Sequence, residues 1–272
     1  MGLFDYCVRE PSPAPWRWLV KGGGRVSTYN ALGVTLLFVG FCYLFPFWGH
    51  LGFVLHILIQ HVFLFADTMV SNSPGKNVVR LRRAGFSDWI ILGIAEFNTV
   101  GSQLLGYVIT VGLCGDPRFY TMSYAWRRLD VWLLCVVFVN LALAEAAFTI
   151  GHYLLHSRKS LLSLHVMHHC CVHASWTTNV LFHPIDLAIE FSGPAISLLL
   201  MHFIVWRDPF VLMVTFVIFQ IWYALDHDES LKTYHYAHHT HNNSLYAIYI
   251  NVKGKPRSNL LRDYMRKIVE KD

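Results

Sequence analysis

Five apolar stretches of membrane-spanning length restrict this chain to helical architectures. A helix of about 20 residues spans a hydrocarbon core of about 30 Å, and it satisfies its own backbone hydrogen bonds in lipid. The last stretch is interrupted at Gly193-Pro194 and at Trp206–Pro209, so it is long enough for two short passes. The sequence predicts an all-α, polytopic membrane helical bundle of two hairpins plus connecting spans. The stretches are Tyr29–Trp48, Leu51–Val70, Phe86–Cys114, Val131–Gly151 and Leu187–Phe219.

Composition and charge agree with a membrane protein. The chain is 54% hydrophobic and only 14% charged, with a mean hydropathy of +0.40. The net charge of +5 is modest, and no feature indicates a nucleic-acid partner. Residues 1–28 carry four basic residues and three prolines without an apolar core, so they do not resemble a secretory signal. They are predicted to form a cytosolic or interfacial segment before a membrane domain over residues 29–272.

Positive charge predicts the orientation of the bundle. Lys and Arg concentrate in cytosolic loops of membrane proteins. If the N-terminus is cytosolic, then residues 71–85, 152–183 and 227–272 are cytosolic as well, and this side holds 18 of the 22 Lys and Arg. The opposite side holds Arg118, Arg127, Arg128 and Arg207. This orientation places every histidine cluster at one membrane face, as a cytosolic histidine-rich helical cap.

Histidines cluster at helical spacing in two regions, 152–183 and 226–241. His152 and His156 are four residues apart, and two H-x-x-H-H motifs follow at His165 to His169 and at His235 to His239. Residues i, i+3 and i+4 share one face of a helix, so each cluster is expected to direct its rings at one point. Imidazole suits zinc, iron, copper or nickel. The spacing therefore predicts a metal site without identifying the metal.

Several other polar residues stand outside these clusters. His50, His56, His61 and His202 lie alone in apolar runs and are interpreted as ordinary residues, whereas His183 and His227 flank the last apolar stretch and are predicted ligands. Glu145 lies two turns before His152 and is predicted to accept a hydrogen bond from a ligand ring, while no partner is visible for Glu96. The six cysteines show no disulfide framework, and a buried, inert thiol is expected for Cys170.

The order of these motifs resembles the fatty acid hydroxylase superfamily, and is closest to C-5 sterol desaturases and methylsterol monooxygenases. The resemblance covers roughly residues 131–246. It rests on H-x-x-x-H at a helix end, H-x-x-H-H, H-P-x-D, a D-H-D segment and a final H-x-x-H-H. It implies a membrane enzyme with two non-haem Fe ions that are held by His152, His156, His165, His168, His169, His183, His227, His235, His238 and His239, with Glu145 beside them.

The resemblance also implies a reaction and partners. Such enzymes use O2 and two electrons to hydroxylate or desaturate a lipid. We expect a sterol, with a fatty acyl chain or sphingolipid as the alternative substrate. The electrons would come from NAD(P)H through a b-type cytochrome and its reductase, at the cytosolic face of the endoplasmic reticulum. The basic tail 253–272 suits either an acidic electron carrier or anionic lipid headgroups.

The chain departs from the family pattern in three places. Thr149, Ile150 and Tyr153 flank the first histidine in place of an aromatic pair and an arginine, and His241 replaces an Asn after the last motif. The family's C-terminal Trp-Asp segment is absent. Two hypotheses of another class remain open at this point. A metal transporter would need ligands strung along membrane helices, and a haem electron carrier would need paired histidines on facing helices.

Overall fold

The computed structural model describes residues 50–70, 73–114, 130–172 and 176–206, with shorter pieces at 211, 215, 218–219, 223, 226–227, 234–241 and 246–248. Within these parts every regular element is helical. The predicted segments 1–28 and 29–48 and the basic tail 253–272 lie outside them. The helices are α1 (His50–Val70), α2 (Ser73–Arg83), α3 (Asp88–Cys114), α4 (Val131–Ser157), α5 (Lys159–Cys170), a 3-10 turn (Trp176–Val180), α6 (Pro184–Met201) and α7 (Tyr234–His241). A π-helical turn, His202–Trp206, continues α6.

Four of the five apolar stretches correspond to α1, α3, α4 and α6, and the largest differences in extent concern α4 and α6. Helix α4 continues past Gly151 to Ser157, so His152 and His156 belong to the same helix as the apolar run. Helix α6 begins at Pro184, before the predicted Leu187, because proline is pre-shaped for the first helical position. The polar linker predicted at 71–85 also contains a helix, α2.

Helices α4 and α6 pack closely because two glycines remove the side chains between them. A Cβ atom on Gly151 would lie 3.0 Å from the carbonyl oxygen of Ile189, and one on Gly193 would lie 3.1 Å from that of Ala147. Small residues allow the backbones of apolar helices to approach in this way. The contact fixes α6 against the end of α4 that carries His152.

One face of α4 is buried along its whole length. Asp130 caps its N-terminus by accepting a hydrogen bond of 2.7 Å from the N–H of Leu133. The buried side chains then recur every three or four residues, from Leu133 through Ala144 and Phe148 to His156. An apolar core shared with α6 thus runs directly into the histidines at the end of the helix.

Helix α5 separates this histidine cluster from a second apolar core shared with α2 and α3. Leu162, Val166 and Met167 of α5 pack in that core with Leu81 and Ile91. Helix α2 ends at Arg83, and the turn after it contains Gly85, whose φ of +93° favours glycine. There Phe86 N donates to the Leu81 carbonyl oxygen at 3.0 Å, which matches a Schellman ending.

Side-chain hydrogen bonds fix the elements around α5. Arg80 Nε donates to the carbonyl oxygen of Cys170 at 2.9 Å, which caps the end of α5. Asn98 Nδ2 of α3 donates to the carbonyl oxygens of Val180 and Phe182 at 2.9 and 2.8 Å. These bonds place Phe182 and the start of α6 beside α5.

Two helices in the described part of the chain are long and apolar enough to cross a membrane, namely Val131–Ser157 and Pro184–Val205. By themselves they indicate such a crossing only by length and composition. Large apolar side chains are also exposed on the outer faces of the helices. They include Phe138 and Ile150 on α4, Ile196 on α6 and Phe97 on α3. Exposed apolar surface of this extent indicates contact with lipid or with another protein.

Candidate metal centre

Nine buried histidines from α4, α5, α7 and the turn at 226–227 gather in two adjacent groups. Group A contains His152, His156, His165, His169 and His238. Group B contains His168, His227, His235 and His239. In each group one nitrogen of every ring lies within 4.8 Å of the others. Each histidine group is therefore able to hold a metal ion, and His165, Asp186 and Glu190 form a third candidate group beside group A.

The Nε2 atoms of group A converge on one point. His156 Nε2 lies 3.2 Å from His152 Nε2, 3.1 Å from His169 Nε2 and 3.0 Å from His238 Nε2. A ring nitrogen has a single proton or a single lone pair, so it cannot form three hydrogen bonds in different directions. A cation inside the group would instead satisfy every nitrogen at once.

Group B shows the same convergence. His239 Nε2 lies 3.3 Å from His227 Nε2 and 3.2 Å from His235 Nε2, and His168 Nε2 lies 3.4 Å from His235 Nε2. A metal about 2.0–2.1 Å from two ring nitrogens separates them by about 2.9 Å at a right angle and about 3.4 Å at the tetrahedral angle. The spacing in both groups fits nitrogen ligands around a transition metal.

Each H-x-x-H-H motif is divided between the two groups, which corrects the expectation of one point per cluster. On α5, His165 and His169 belong to group A and His168 to group B. On α7, His238 belongs to group A, and His235 and His239 belong to group B. A residue turns 100° around a helix, so positions i+3 and i+4 point to opposite sides of position i. One motif can therefore serve two neighbouring ions.

Three ligand rings are oriented by acceptors at their Nδ1 atoms. His152 donates to the carbonyl oxygen of Tyr246 at 2.9 Å, and His165 contacts both oxygens of Asp186 at 2.9 and 3.0 Å. His227 Nδ1 contacts the carboxylate of Asp226. Such partners fix the tautomer and leave Nε2 with a lone pair for a metal. All three histidines thus direct Nε2 towards their groups.

The structure does not bring His183 into either group. Its Nδ1 accepts a hydrogen bond of 3.2 Å from the N–H of Ile185, and the half-buried ring caps α6. A histidine directly before a proline at the first helical position is well placed for capping, which the ligand prediction for His183 overlooked. The other nine predicted ligands lie in groups A and B.

Glu145 acts on the centre through the backbone of another segment. Its Oε1 accepts a hydrogen bond of 2.8 Å from the N–H of Ile248. The acceptor for the His152 ring is the carbonyl oxygen of Tyr246, two residues earlier. Glu145 and His152 thus contact the same segment from one face of α4, which agrees with their spacing of seven residues.

The sequence reasoning missed three buried acids beside the histidines. Asp186 and Glu190 are fully buried on one face of α6, next to group A, and Asp226 is fully buried next to group B. Asp186 was visible as the last residue of the H-P-I-D motif, and Asp226 as the first residue of D-H-D. Glu190 was visible as an acid within an apolar stretch, which is a strong signal because burying a charge is costly.

Burial sets the protonation of the rings outside the candidate membrane helices. Burial, and then the neighbouring imidazoles, lower the pKa of His168, His169, His235 and His239 well below the usual 6.5. These rings are therefore neutral at pH 7, which is the state that binds a metal.

Aromatic side chains enclose the centre. Phe182 stacks on His168 with ring centroids 3.8 Å apart, and Phe148 packs on His152 and His235. Tyr246 covers His152 and His156. This apolar wall excludes water and strengthens electrostatic interactions within the groups.

Two of the single histidines, His61 and His202, lie outside groups A and B, whereas the side chains of His50 and His56 are outside the described part of the chain. His61 Nε2 of α1 pairs with Glu96 of α3 at 2.8 Å, so Glu96 does have a partner. His202 is buried in the π-helical turn after α6 and is in neither group. Cys170 is buried in the second core, and burial raises the pKa of its thiol to about 12, which agrees with an inert thiol.

The chain stands without a match in the comparisons with known proteins. No protein-family model matches it, and neither does any curated protein or solved structure. Groups A and B and the order of the sequence motifs are therefore the observations that bear on function.

Proposed function

We propose that this chain is a membrane di-iron oxygenase that hydroxylates or desaturates a lipid, with a sterol as the substrate class. The observation that carries the proposal is the convergence of the Nε2 atoms in two adjacent, fully enclosed histidine groups. Their donor set fits divalent iron or zinc. The choice of iron, and of oxygen chemistry, rests on the resemblance of the motif order to sterol desaturases.

The surroundings of the groups support chemistry on a lipid. The buried core of α4 and α6 leads into group A, and the outer faces of these helices expose apolar side chains. A substrate in a bilayer would thus meet the centre where the apolar helices end. We propose accordingly that the described helices belong to a polytopic bundle in the endoplasmic reticulum, with the histidine groups on the cytosolic face.

The reaction assigns distinct tasks to the metal and to the protein. Bound iron would supply the reduction of O2 with two electrons and two protons from outside. Hydroxylation would place one oxygen atom in the lipid and release the other as water, whereas desaturation would remove two hydrogens from the lipid and release both oxygen atoms as water. The chain's own residues hold the ligand rings in one tautomer and exclude water through Phe148, Phe182 and Tyr246. The chain would receive electrons from NAD(P)H through a b-type cytochrome and its reductase.

The alternatives of another class receive less support. A metal transporter needs ligands along a path, whereas the nine histidines gather in two groups without a described continuation along α1 or α3. A haem carrier needs two rings on facing helices, but His61 is already paired with Glu96. A visible spectrum of the purified protein without a Soret band would exclude haem.

The decisive experiment combines metal analysis with turnover. Purified protein should contain about two irons per chain. Membranes that contain it, supplied with NADH, reductase, cytochrome and labelled sterols, should convert a sterol in air but not under nitrogen. Membranes with the His168→Ala variant provide the matched control. Equal turnover under nitrogen would eliminate the oxygenase, and turnover of acyl or sphingoid lipids alone would eliminate the sterol.

A further inference from the structure

Glu190 is a fully buried carboxylate beside group A for which the centre described above provides no role. Its Oε2 accepts a hydrogen bond of 3.2 Å from the hydroxyl of Tyr223. Its Oε1 is buried and has no hydrogen-bond partner, and it lies 4.0 Å from His152 Nε2 and 3.8 Å from His165 Nδ1. A buried carboxylate oxygen without a donor is unfavourable unless a positive charge lies near it.

The orientation of His152 shows which side of the ring Glu190 approaches. The Nδ1–H of His152 donates to the Tyr246 carbonyl oxygen, so its Nε2 carries the lone pair. That Nε2 is the atom that faces His156 within group A. Glu190 Oε1 therefore approaches the metal-facing nitrogen of His152. Neither atom has a hydrogen-bond donor directed at it from the other, and a cation between them would be bound by both lone pairs.

The balance of buried charge also indicates that Glu190 lies where a metal ion in group A would need a negative partner. Two divalent ions among neutral imidazoles would carry four positive charges into a buried centre, where charges need partners. Group B has Asp226 against His227 and His235. Beside group A, Asp186 is engaged by His165 Nδ1. Among the described residues beside group A, Glu190 Oε1 is a buried carboxylate oxygen that no hydrogen-bond donor contacts.

We propose that Glu190 supplies a carboxylate ligand to the metal of group A, and that Tyr223 is the residue that positions it. The hydroxyl of Tyr223 holds Oε2 and so turns Oε1 towards the histidines. This inference rests on the metal-binding part of the proposed function and is independent of the oxygenase reaction. It gives group A a mixed nitrogen and oxygen ligand set, while group B remains a histidine site.

The test uses Co²⁺ as a spectroscopic probe. The full-length chain, purified in detergent and stripped of metal, is titrated with Co²⁺ while its visible absorption is recorded. Glu190→Gln keeps the shape of the side chain but removes its charge. It should lower the affinity for one of two Co²⁺ ions by at least about 10-fold and shift the bands of that ion. Glu96→Gln, the same change in α3, should leave both affinities and the spectrum as in the wild type.

Two further variants keep the test informative if Glu190→Gln does not fold. Tyr223→Phe retains the carboxylate, so its Co²⁺ affinity should fall between those of the wild type and Glu190→Gln. Glu190→Asp withdraws the carboxylate by one methylene and should also change affinity and spectrum, which decides the question if Glu190→Gln does not fold. Helicity by circular dichroism verifies the fold of each variant.

The outcomes separate the possible roles of Glu190. Wild-type affinities and spectra in folded Glu190 variants would overturn the proposal. Loss of a third Co²⁺ ion with the other two unchanged would also overturn it, because it would indicate a separate site of His165, Asp186 and Glu190. If the wild-type chain binds Co²⁺ but oxidises no lipid, the oxygenase proposal is wrong. The Glu190 variants would still test whether Glu190 is a metal ligand.

Discussion

The Nδ1 atom of His152 lies 2.9 Å from the carbonyl oxygen of Tyr246, and this hydrogen bond joins α4 to the segment that follows α7. The same segment is held twice more. Ile248 N donates to Glu145 at 2.8 Å, and Tyr234 N donates to the Ile248 carbonyl oxygen at 3.1 Å. Residues 246–248 are thus a buried bridge between the His152 ring, α4 and α7, and these two helices carry five of the nine grouped histidines.

This bridge predicts an intermediate effect for Glu145→Gln. The amide oxygen can still accept from Ile248 N, but without charge the bond is weaker, so the Tyr246 carbonyl orients His152 less firmly. Metal affinity or activity should fall by about 10–100-fold, which is typical when a residue that orients a metal ligand is replaced. Equilibrium metal titration measures this. An effect as large as that of removing a ligand would instead indicate direct coordination by Glu145.

Replacing a ligand should abolish activity without affecting insertion into membranes. His168→Ala removes a nitrogen from group B and leaves a buried gap under Phe182. We expect loss of bound metal and of turnover, and the same for His165, His169, His235, His238 and His239. His202→Ala is the control, because His202 is buried outside both groups. Metal content and carbonate-resistant membrane association are the measurements. Full metal content in His168→Ala would contradict group B.

Stability of the metal-free protein should decrease as the pH falls. The folded-state pKa values of His168, His169, His235 and His239 are depressed, so below about pH 6.5 the unfolded chain binds protons that the folded chain does not. Each such ring removes up to about 1.4 kcal/mol of stability per pH unit, down to its folded pKa. Thermal melts between pH 8 and 5 should show the loss, and bound metal should reduce it. A pH-independent midpoint would mean that the rings are not buried together.

Substitution of Gly151 should disturb both the helix pair and the centre. The Cβ of Gly151→Ala would meet the Ile189 carbonyl oxygen at 3.0 Å and the backbone next to Glu190. Crowding of this kind costs about 1–3 kcal/mol, and it should also weaken metal binding. Gly93→Ala in α3 is the matched control, because nothing lies within 4 Å of its added Cβ. Melting temperature and metal content of both variants decide whether the close approach matters.

The proposed orientation makes a prediction about glycosylation. Asn242-Asn243-Ser244 forms a sequon that follows α7 and would be cytosolic with the histidine groups. It should remain unmodified in a eukaryotic host, and a C-terminal tag should be accessible only from the cytosol. Sensitivity of the protein to a glycosidase, or labelling of the tag from the lumen, would contradict the orientation. An engineered sequon in residues 115–129 provides the positive control.

The sequence by itself determined which residues meet. Apolar runs predicted helices α1, α3, α4 and α6, because uninterrupted apolar side chains of this length can only satisfy the backbone as helices. Spacings of three and four residues identified eight of the nine histidines that the structure gathers in groups A and B, and the position of His227 beside the last apolar stretch identified the ninth. Both inferences depend on local periodicity, which is a property of neighbouring residues along the chain.

Only the tertiary structure decided how these residues are divided. Whether His168 joins His165 or His235 depends on the rotation of α5 against α7, which no local pattern contains. His183 has the same chemistry as the ligands, but its position before Pro184 turns the ring to the backbone of α6. The position of Glu190 likewise follows from the close contact of α4 and α6 at Gly151, since packing between distant segments brings that carboxylate to His152.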